Sequence, residues 1–361
     1  MSCGTPGTIA SQVIAWQRRH GRHDLPWQAS RDPYRVWLSE VMLQQTQVAT
    51  VLAYYARFLQ RFPDVATLAA APADDVLAHW SGLGYYSRAR NLHRCAQVVM
   101  AEHGGSFPRT SEALATLPGI GRSTAAAIAA FCFGERAAIL DGNVKRVLTR
   151  VLGFDQDLAR AAGERALWSE AQALLPPARD IAAYAQGLMD LGAGVCTLRR
   201  PQCGACPLSE ACVARRDGDP QRFPVKTRRL VRGERINALL WLGAGQQVWL
   251  ERRPPTGVWA GLWSLPAFAD LDALRDTIRG WPGQGHALPT FSHALTHFDW
   301  RLQPWRHELP HAVDSALPQG RWWTIADALQ LGLPAPVRKL LAAASADDTF
   351  AAQELVDELQ A

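Results

Sequence analysis

Four of the chain's cysteines crowd into residues 196–212 in the pattern C-x6-C-x2-C-x5-C: Cys196, Cys203, Cys206 and Cys212. This spacing constrains the fold more than any other feature. The same segment carries Arg199, Arg200, Pro201, Gln202 and Glu210, and is too polar to be core. Such a loop keeps its shape when its thiolates converge on a metal centre. Zinc sites usually use two separated C-x2-C knuckles, and here there is one. The longer outer spacings suit a wider cluster better than a single ion, and a [4Fe–4S] cube takes four cysteines. The spacing differs from ferredoxin runs and does not imply electron transfer. The other three cysteines, Cys3, Cys95 and Cys132, are scattered. An odd total with this distribution fits a reducing compartment and a metal site, not a disulfide framework.

At 361 residues the chain is long enough for two domains. Up to about residue 212 it reads as helical. In LDGNVKRVLTRVL, for example, Val144, Val147, Leu148, Val151 and Leu152 recur at helical spacing. Pro63, Pro72, Pro108, Pro118 and the pair Pro176-Pro177 punctuate the helices. Residues 214–235 hold eight basic against three acidic side chains and read as a linker. Beyond it, INALLWL and QQVWLER are β-favouring runs around Gly243-Ala244-Gly245, a hairpin signal. The expected organisation is multidomain: an all-α domain over 1–213 with the cysteine loop at its end, a basic linker over 214–235, an α+β domain over 236–344 and an acidic tail over 345–361.

The net charge is +5, but Ser345–Ala361 carries five acidic residues and no Lys or Arg, so the preceding 344 residues carry +10. A basic body invites a polyanion, although charge alone does not separate that from a solvated basic surface. No apolar run is long enough to span a membrane, and the N-terminus lacks the basic and apolar regions of a secretory signal. A cytoplasmic protein is expected.

Three local patterns carry chemistry. SEALATLPGIGRSTAAAIAAFCF splits into a helix, the turn Leu117-Pro118-Gly119-Ile120-Gly121, and an Ala-rich helix opening with Arg122. Gly119 and Gly121 let backbone approach closely, and the second helix's N-terminus suits a DNA phosphate held without sequence reading. Glu40 sits among Trp37, Leu38, Val41, Met42 and Leu43 in VWLSEVML, surroundings that favour a protonated carboxyl, as a general acid requires. A helical Glu more often faces water. Asp141, in AAILDGNVKRV, precedes a basic helix start that includes Lys145. It could simply cap that helix, but a fixed anion opposite a general acid is also how glycosidic bonds are broken through an oxocarbenium-like transition state.

These pieces together resemble the MutY-type adenine DNA glycosylases of the helix-hairpin-helix superfamily, which also contains endonuclease III. The matching segments are LPW (25–27), DPYRVWLSEVMLQQTQVATV (32–51), WSGLGYYSRARNLH (80–93), LPGIGRSTAAAI (117–128), ILDGNVKRVL (139–148), MDLGAGVCTLRRPQCGACPLSEAC (189–212) and RRPPTGVWAGLWSLPAF (252–268). The resemblance implies hydrolytic removal of adenine mispaired with 8-oxoguanine or guanine in duplex DNA, after the base is flipped out. It implies Glu40 as the acid protonating adenine N7, Asp141 as the stabiliser of the sugar cation and Asn143 as its neighbour. It implies that Gln45, Thr46 and Tyr85 wedge into the duplex or touch the lesion. With the hairpin's Leu117, Gly119, Gly121 and Arg122, and with Lys145, these form the expected DNA-binding set. The four cysteines match the family's [4Fe–4S] ligands, whose cluster orders a DNA-facing loop and is not needed for the hydrolysis. A monomer is expected.

The endonuclease III branch needs a Lys nucleophile two residues after the hairpin's last Gly, where this chain has Ser123. The C-terminal region resembles a Nudix-like domain without its metal-binding box: DLDALRDTIRG stands where R-E-x-x-E-E would follow. Reading of 8-oxoguanine is its implied role. Aligning HALTHF (293–298) with the family's Phe-Ser-His loop selects Thr296 and His297, and the alternative register selects Ser292 and His293. A non-catalytic DNA-binding protein with a structural metal would keep the hairpin and the cysteines but has no use for an acid at Glu40.

Overall fold

The computed structural model describes residues 6–227, 231–313 and 317–345. The chain divides into two units. One holds Met1–Tyr55, Phe62–Ala69 and Arg94–Arg229; the other holds Ala56–Arg61, Ala70–His93 and Leu230–Ala361.

The first unit is helical. Three of its helices begin at a side chain that caps them. Asp32 accepts the Tyr34 N–H at 3.0 Å ahead of Pro33–Leu43, and Thr110 caps the short helix Ser111–Leu114. Asp141 caps Gly142–Leu152. An N-cap of this kind contributes about 0.5–2 kcal/mol. Val144, Val147, Leu148 and Val151 form the buried stripe that the helical spacing predicts, in one core with Ile139, Leu140, Leu167 and Leu188. Each such aliphatic side chain contributes roughly 1.5–3 kcal/mol on burial. The hairpin turn forms as expected. Gly119 takes φ +76°, which a Cβ would oppose, and Arg122–Ile128 then buries Ala125, Ala126, Ala127 and Ile128 before widening into a π turn over Ala129–Phe133. Small side chains let this helix lie close against its neighbours.

Part of the basic segment after the cysteines is fastened to this unit. Ala214 and Phe223 are buried, Leu158 N–H donates to Val225 O at 3.0 Å, and Arg150 Nε donates to Phe223 O at 3.4 Å.

The second unit is built on a mixed eight-stranded sheet. Its strands are β1 (Gly233–Ala244), β2 (Gln247–Arg252), β3 (Trp263–Ser264), β4 (Ala267–Phe268), β5 (Gln284–Ala287), β6 (Phe291–Ala294), β7 (Phe298–Glu308) and β8 (Arg321–Thr324). The order is β3-β2-β1-β7-β5, with β4 on β1, β6 on β7 and β8 on β2. β1 and β7 run parallel from Gly233↔Phe298 to Gly243↔Glu308, whereas the other pairs are antiparallel. The β1–β2 hairpin is present, but its turn is Gly245-Gln246. Gly243 and Ala244 belong to the strand. Gly243 serves close approach, since a Cβ there would lie 2.5 Å from the Glu308 carboxylate. Segments from the N-terminal half complete this unit: Ser81 Oγ and Tyr86 OH both donate to Leu333 O, at 2.8 and 2.9 Å. No helix among the described residues is long and apolar enough to cross a membrane.

Candidate active site

The helix Pro33–Leu43 sets Glu40 among the buried side chains of Trp37, Leu38, Val41 and Met42. The carboxyl keeps only a partial opening to solvent. Burial pushes its pKa up to about 8, and the negative charge of Asp141 pushes in the same direction. The two carboxylates therefore sense each other, although about a hundred residues separate them in sequence.

Asp141 is held differently. Its Oδ1 accepts the Val144 N–H at 2.7 Å. Burial raises its pKa, while the backbone N–H groups of Val144 and Asn143 and the charges of Arg146 and Lys145 oppose the rise. The carboxylate that caps this helix is thus the same one whose charge acts on Glu40. Glu40 is thus the member that takes a proton readily, and Asp141 the member whose negative form is supported by donors.

Asn143 continues the arrangement. Its Oδ1 accepts from Arg146 Nη2 at 2.9 Å, and Arg146 also donates to Gly192 O at 2.5 Å and to Cys196 O at 2.7 Å. One turn further on, Arg150 is only 1% exposed and donates to Cys196 Sγ at 3.3 Å, Thr197 O at 2.7 Å and Leu198 O at 3.0 Å. Sequence reasoning misses both arginines. The one signal in the sequence is a basic residue, Arg150, lying between Val147 and Val151 on an otherwise apolar face.

Cys196, Cys203, Cys206 and Cys212 line one cavity with Val147, Arg150 and Pro201. Burial raises the Cys206 thiol to about 11, and the other three sulfurs add to the shift. The four sulfurs thus face a common space. Among the described residues, no three His, Cys, Asp or Glu side chains close on a single metal ion.

The remaining expected residues fall in several settings. Ser123 Oγ accepts the Leu140 N–H at 3.1 Å, tying the hairpin helix to the segment that leads into Asp141. Gln45 is exposed at φ +57°, beside the half-buried Thr46. Tyr85, in the second unit, is 47% exposed at φ +47°. Arg88 lies 5.4 Å from the Tyr85 ring centroid and donates to Leu83 O and Gly84 O, bracing that loop. Backbone held at positive φ by non-glycine residues costs energy, and such positions cluster at functional sites. Gly119, Gly121 and Arg122 are exposed on the hairpin. Leu117 is buried, with its N–H on Leu114 O and its carbonyl accepting from Ile120, so it shapes the turn and offers no surface. Lys145 is paired with Glu164 at 2.5 Å.

In the second unit, Leu295 N–H donates to Phe298 O at 3.0 Å and closes a two-residue turn with Thr296 and His297 exposed at its tip. Ser292 and His293 lie in β6, paired with Arg301 and Trp300 of β7. His293 is half-buried against the Trp259 ring, 5.6 Å between centroids, and burial lowers its pKa.

Comparison with known proteins brings two family matches. The HhH-GPD superfamily of base excision DNA repair proteins matches residues 38–172, and the NUDIX domain matches residues 237–343. The adenine DNA glycosylase of Buchnera aphidicola subsp. Acyrthosiphon pisum (strain APS) is 33% identical over 334 residues, covering 91% of this chain and 95% of that protein. The adenine DNA glycosylase of Homo sapiens is 35% identical over 382 residues, covering 86% of this chain and 69% of that protein. Among solved structures, a thermostable thymine-DNA glycosylase aligns with a TM-score of 0.52 at 30% identity, over 59% of this chain and 97% of that one. Endonuclease III from a non-covalent DNA complex shares the helical fold, with a TM-score of 0.50 at 23% identity over 60% of this chain and 98% of that one.

Proposed function

Because this chain belongs to the adenine DNA glycosylase family, and is a base-excision-repair enzyme acting on adenine, we propose that it hydrolyses the N-glycosidic bond of adenine opposite 8-oxoguanine or guanine, with Glu40 as general acid and Asp141 as charge stabiliser. The observation that carries this reading is the carboxyl pair itself: Glu40 raised to about 8 by burial and by Asp141, and Asp141 held by backbone N–H groups and flanking cations.

At neutral pH Glu40 holds a proton and gives it to adenine N7. The C1′–N9 bond then breaks with its electron pair passing to the base, which leaves neutral. The deoxyribose is left as an oxocarbenium ion. Asp141 lowers the energy of that cation, water adds at C1′, and its surplus proton returns to a carboxylate. A water-excluded site with fixed dipoles makes such stabilisation worth more than it is in bulk solvent. Asn143, whose Oδ1 is fixed by Arg146 and whose backbone N–H supports the Asp141 carboxylate, is the neighbour in this site. The reaction is monofunctional, since Ser123 stands where a lyase carries its Schiff-base Lys.

Duplex DNA is the partner. Gln45, Thr46 and Tyr85 replace stacking lost when adenine swings out, and Gly119, Gly121, Arg122 and Lys145 take backbone phosphates. Cys196, Cys203, Cys206 and Cys212 would hold a [4Fe–4S] cluster, which supplies a structural cross-link for the 196–212 loop. Arg146 and Arg150 join that loop to the helix that Asp141 caps. In the domain reading, 1–213 is the glycosylase part, 214–235 the linker and 236–344 the reader of the opposite base. The exposed hairpin tip favours Thr296 and His297 for that reading over Ser292 and His293, whose backbone is committed to the sheet. The test is excision from defined duplexes carrying A·8-oxoguanine, A·G or thymine glycol. Release of thymine glycol with no release of adenine would overturn the proposal.

A further inference from the structure

The helix Ala161–Ala173 presents Glu164 and Trp168, four residues apart and so on one face. Each of these meets a different cation of the proposed phosphate-binding set. The guanidinium of Arg122, at the start of the hairpin helix, lies over the Trp168 ring at 4.0 Å from its centroid. The ammonium of Lys145, on the helix capped by Asp141, pairs with Glu164 Oε1 at 2.5 Å. The four residues come from three helices, and the sequence pattern singles out only the two cations.

The two contacts differ in kind. A stacked guanidinium keeps its charge and its in-plane N–H donors while losing rotamer freedom in advance. Arg122 makes no ion pair with a carboxylate among the described residues. Lys145, in contrast, is already neutralised. Its side chain is 26% exposed and that of Glu164 is 44% exposed, so the pair is reachable by solvent and by a phosphate.

We infer that the Glu164/Trp168 face is a positioning element for DNA binding. Trp168 holds Arg122 ready for a backbone phosphate. Glu164 occupies Lys145 until a phosphate displaces it, which lowers affinity for duplex that does not engage the site closely. The inference rests on the reading of Arg122 and Lys145 as phosphate contacts.

The experiment measures binding of the full chain to an undamaged fluorescent duplex across a salt series. Arg122→Gln and Lys145→Gln test the underlying reading. Each should reduce the dependence of log K on log salt by about 0.9, the amount for one phosphate. If neither does, the phosphate reading itself fails. If both do, the Glu164 and Trp168 variants decide the inference. Glu164→Gln should tighten binding by about 1.5- to 5-fold, the range that an exposed ion pair supports. That gain should shrink in the Lys145→Gln background. A gain that persists there undiminished, or no gain at all, overturns the role of Glu164. Trp168→Leu should reproduce most of the affinity loss of Arg122→Gln and add little to it in the double variant, while Trp168→Phe keeps binding near wild type. Loss in Trp168→Leu that adds fully to that of Arg122→Gln overturns the role of Trp168. Should Trp168→Leu not fold, Trp168→Phe with weakened binding counts against the stacking role and the near-isosteric Glu164→Gln carries the rest.

Discussion

Replacing Glu40 with Gln separates proton donation from every other property of the site. With a pKa near 8, Glu40 is about 90% protonated at pH 7, whereas a carboxyl at its ordinary value of 4.5 would be protonated in roughly 0.3% of molecules. The environment therefore supplies about a 300-fold larger population of competent acid. Single-turnover excision by the wild type should be level from pH 6 to about 7, then fall, reaching about a tenth of its plateau by pH 9. Glu40→Gln should lower the rate by about 10²–10⁴-fold and abolish that fall. Stability supplies an independent reading. The folded-state pKa is raised, so the unfolded chain loses this proton near pH 4.5 while the folded chain retains it to about 8. Across that window wild-type stability should decline by at most about 1.4 kcal/mol per pH unit, and coupling to Asp141 and the partial opening to solvent reduce the full span to roughly 2–4 kcal/mol. Urea melts of wild type and Glu40→Gln should thus diverge as pH rises from 5.5 to 8, the variant becoming the more stable. Parallel stability profiles, together with a wild-type rate that is flat through pH 9, would refute the assignment of a raised pKa to this carboxyl.

The other predictions are more direct. Asp141→Asn should cut excision by about 10²–10⁴-fold in a single-turnover assay with little loss of thermal stability, because Asn caps a helix nearly as well as Asp; a stable variant with native turnover would remove Asp141 from the chemistry. Ser123→Lys should gain strand nicking, detected as a borohydride-trapped covalent complex with the variant and little with the wild type. Thr296→Ala with His297→Ala should narrow the preference for A·8-oxoguanine over A·G by about 2- to 10-fold, as loss of one neutral hydrogen bond would, while Ser292→Ala should not. Anaerobically purified protein should contain iron and acid-labile sulfide, and stoichiometric zinc in their place would sink the cluster reading.

What the sequence made legible, and what it did not, follows from the range over which each feature acts. Helix caps, the Leu117–Gly121 turn and the apolar stripe of Val144, Val147, Leu148 and Val151 are set by residues within a few positions of one another, so local pattern is enough to find them. Glu40 was legible because a carboxylate inside VWLSEVML is costly to ionise wherever the helix packs. Long-range pairing left weaker traces. The parallel register of β1 with β7 joins residues 233–243 to 298–308, and no local alternation announces a parallel partner. Gly243 reads as a turn because the glycine signal is the same for a bend and for a crowded approach; the Glu308 carboxylate that decides between them lies 65 residues away. Arg146 reads as part of the basic helix start after Asp141, and Arg150 as a lone charge between Val147 and Val151. Their guanidinium groups instead satisfy carbonyls of Gly192, Cys196, Thr197 and Leu198, in the π turn and cysteine loop some 45–50 residues downstream. A loop rich in cysteine and glycine buries few apolar side chains, so its backbone carbonyls need donors from elsewhere. Arginine supplies several donors at fixed angles, and a lysine at either position would satisfy fewer of those carbonyls. Such residues look like isolated charges in one dimension and act as fasteners in three, which is why the apolar setting of Glu40 and the cap at Asp141 are easier to read than the scaffold that holds them.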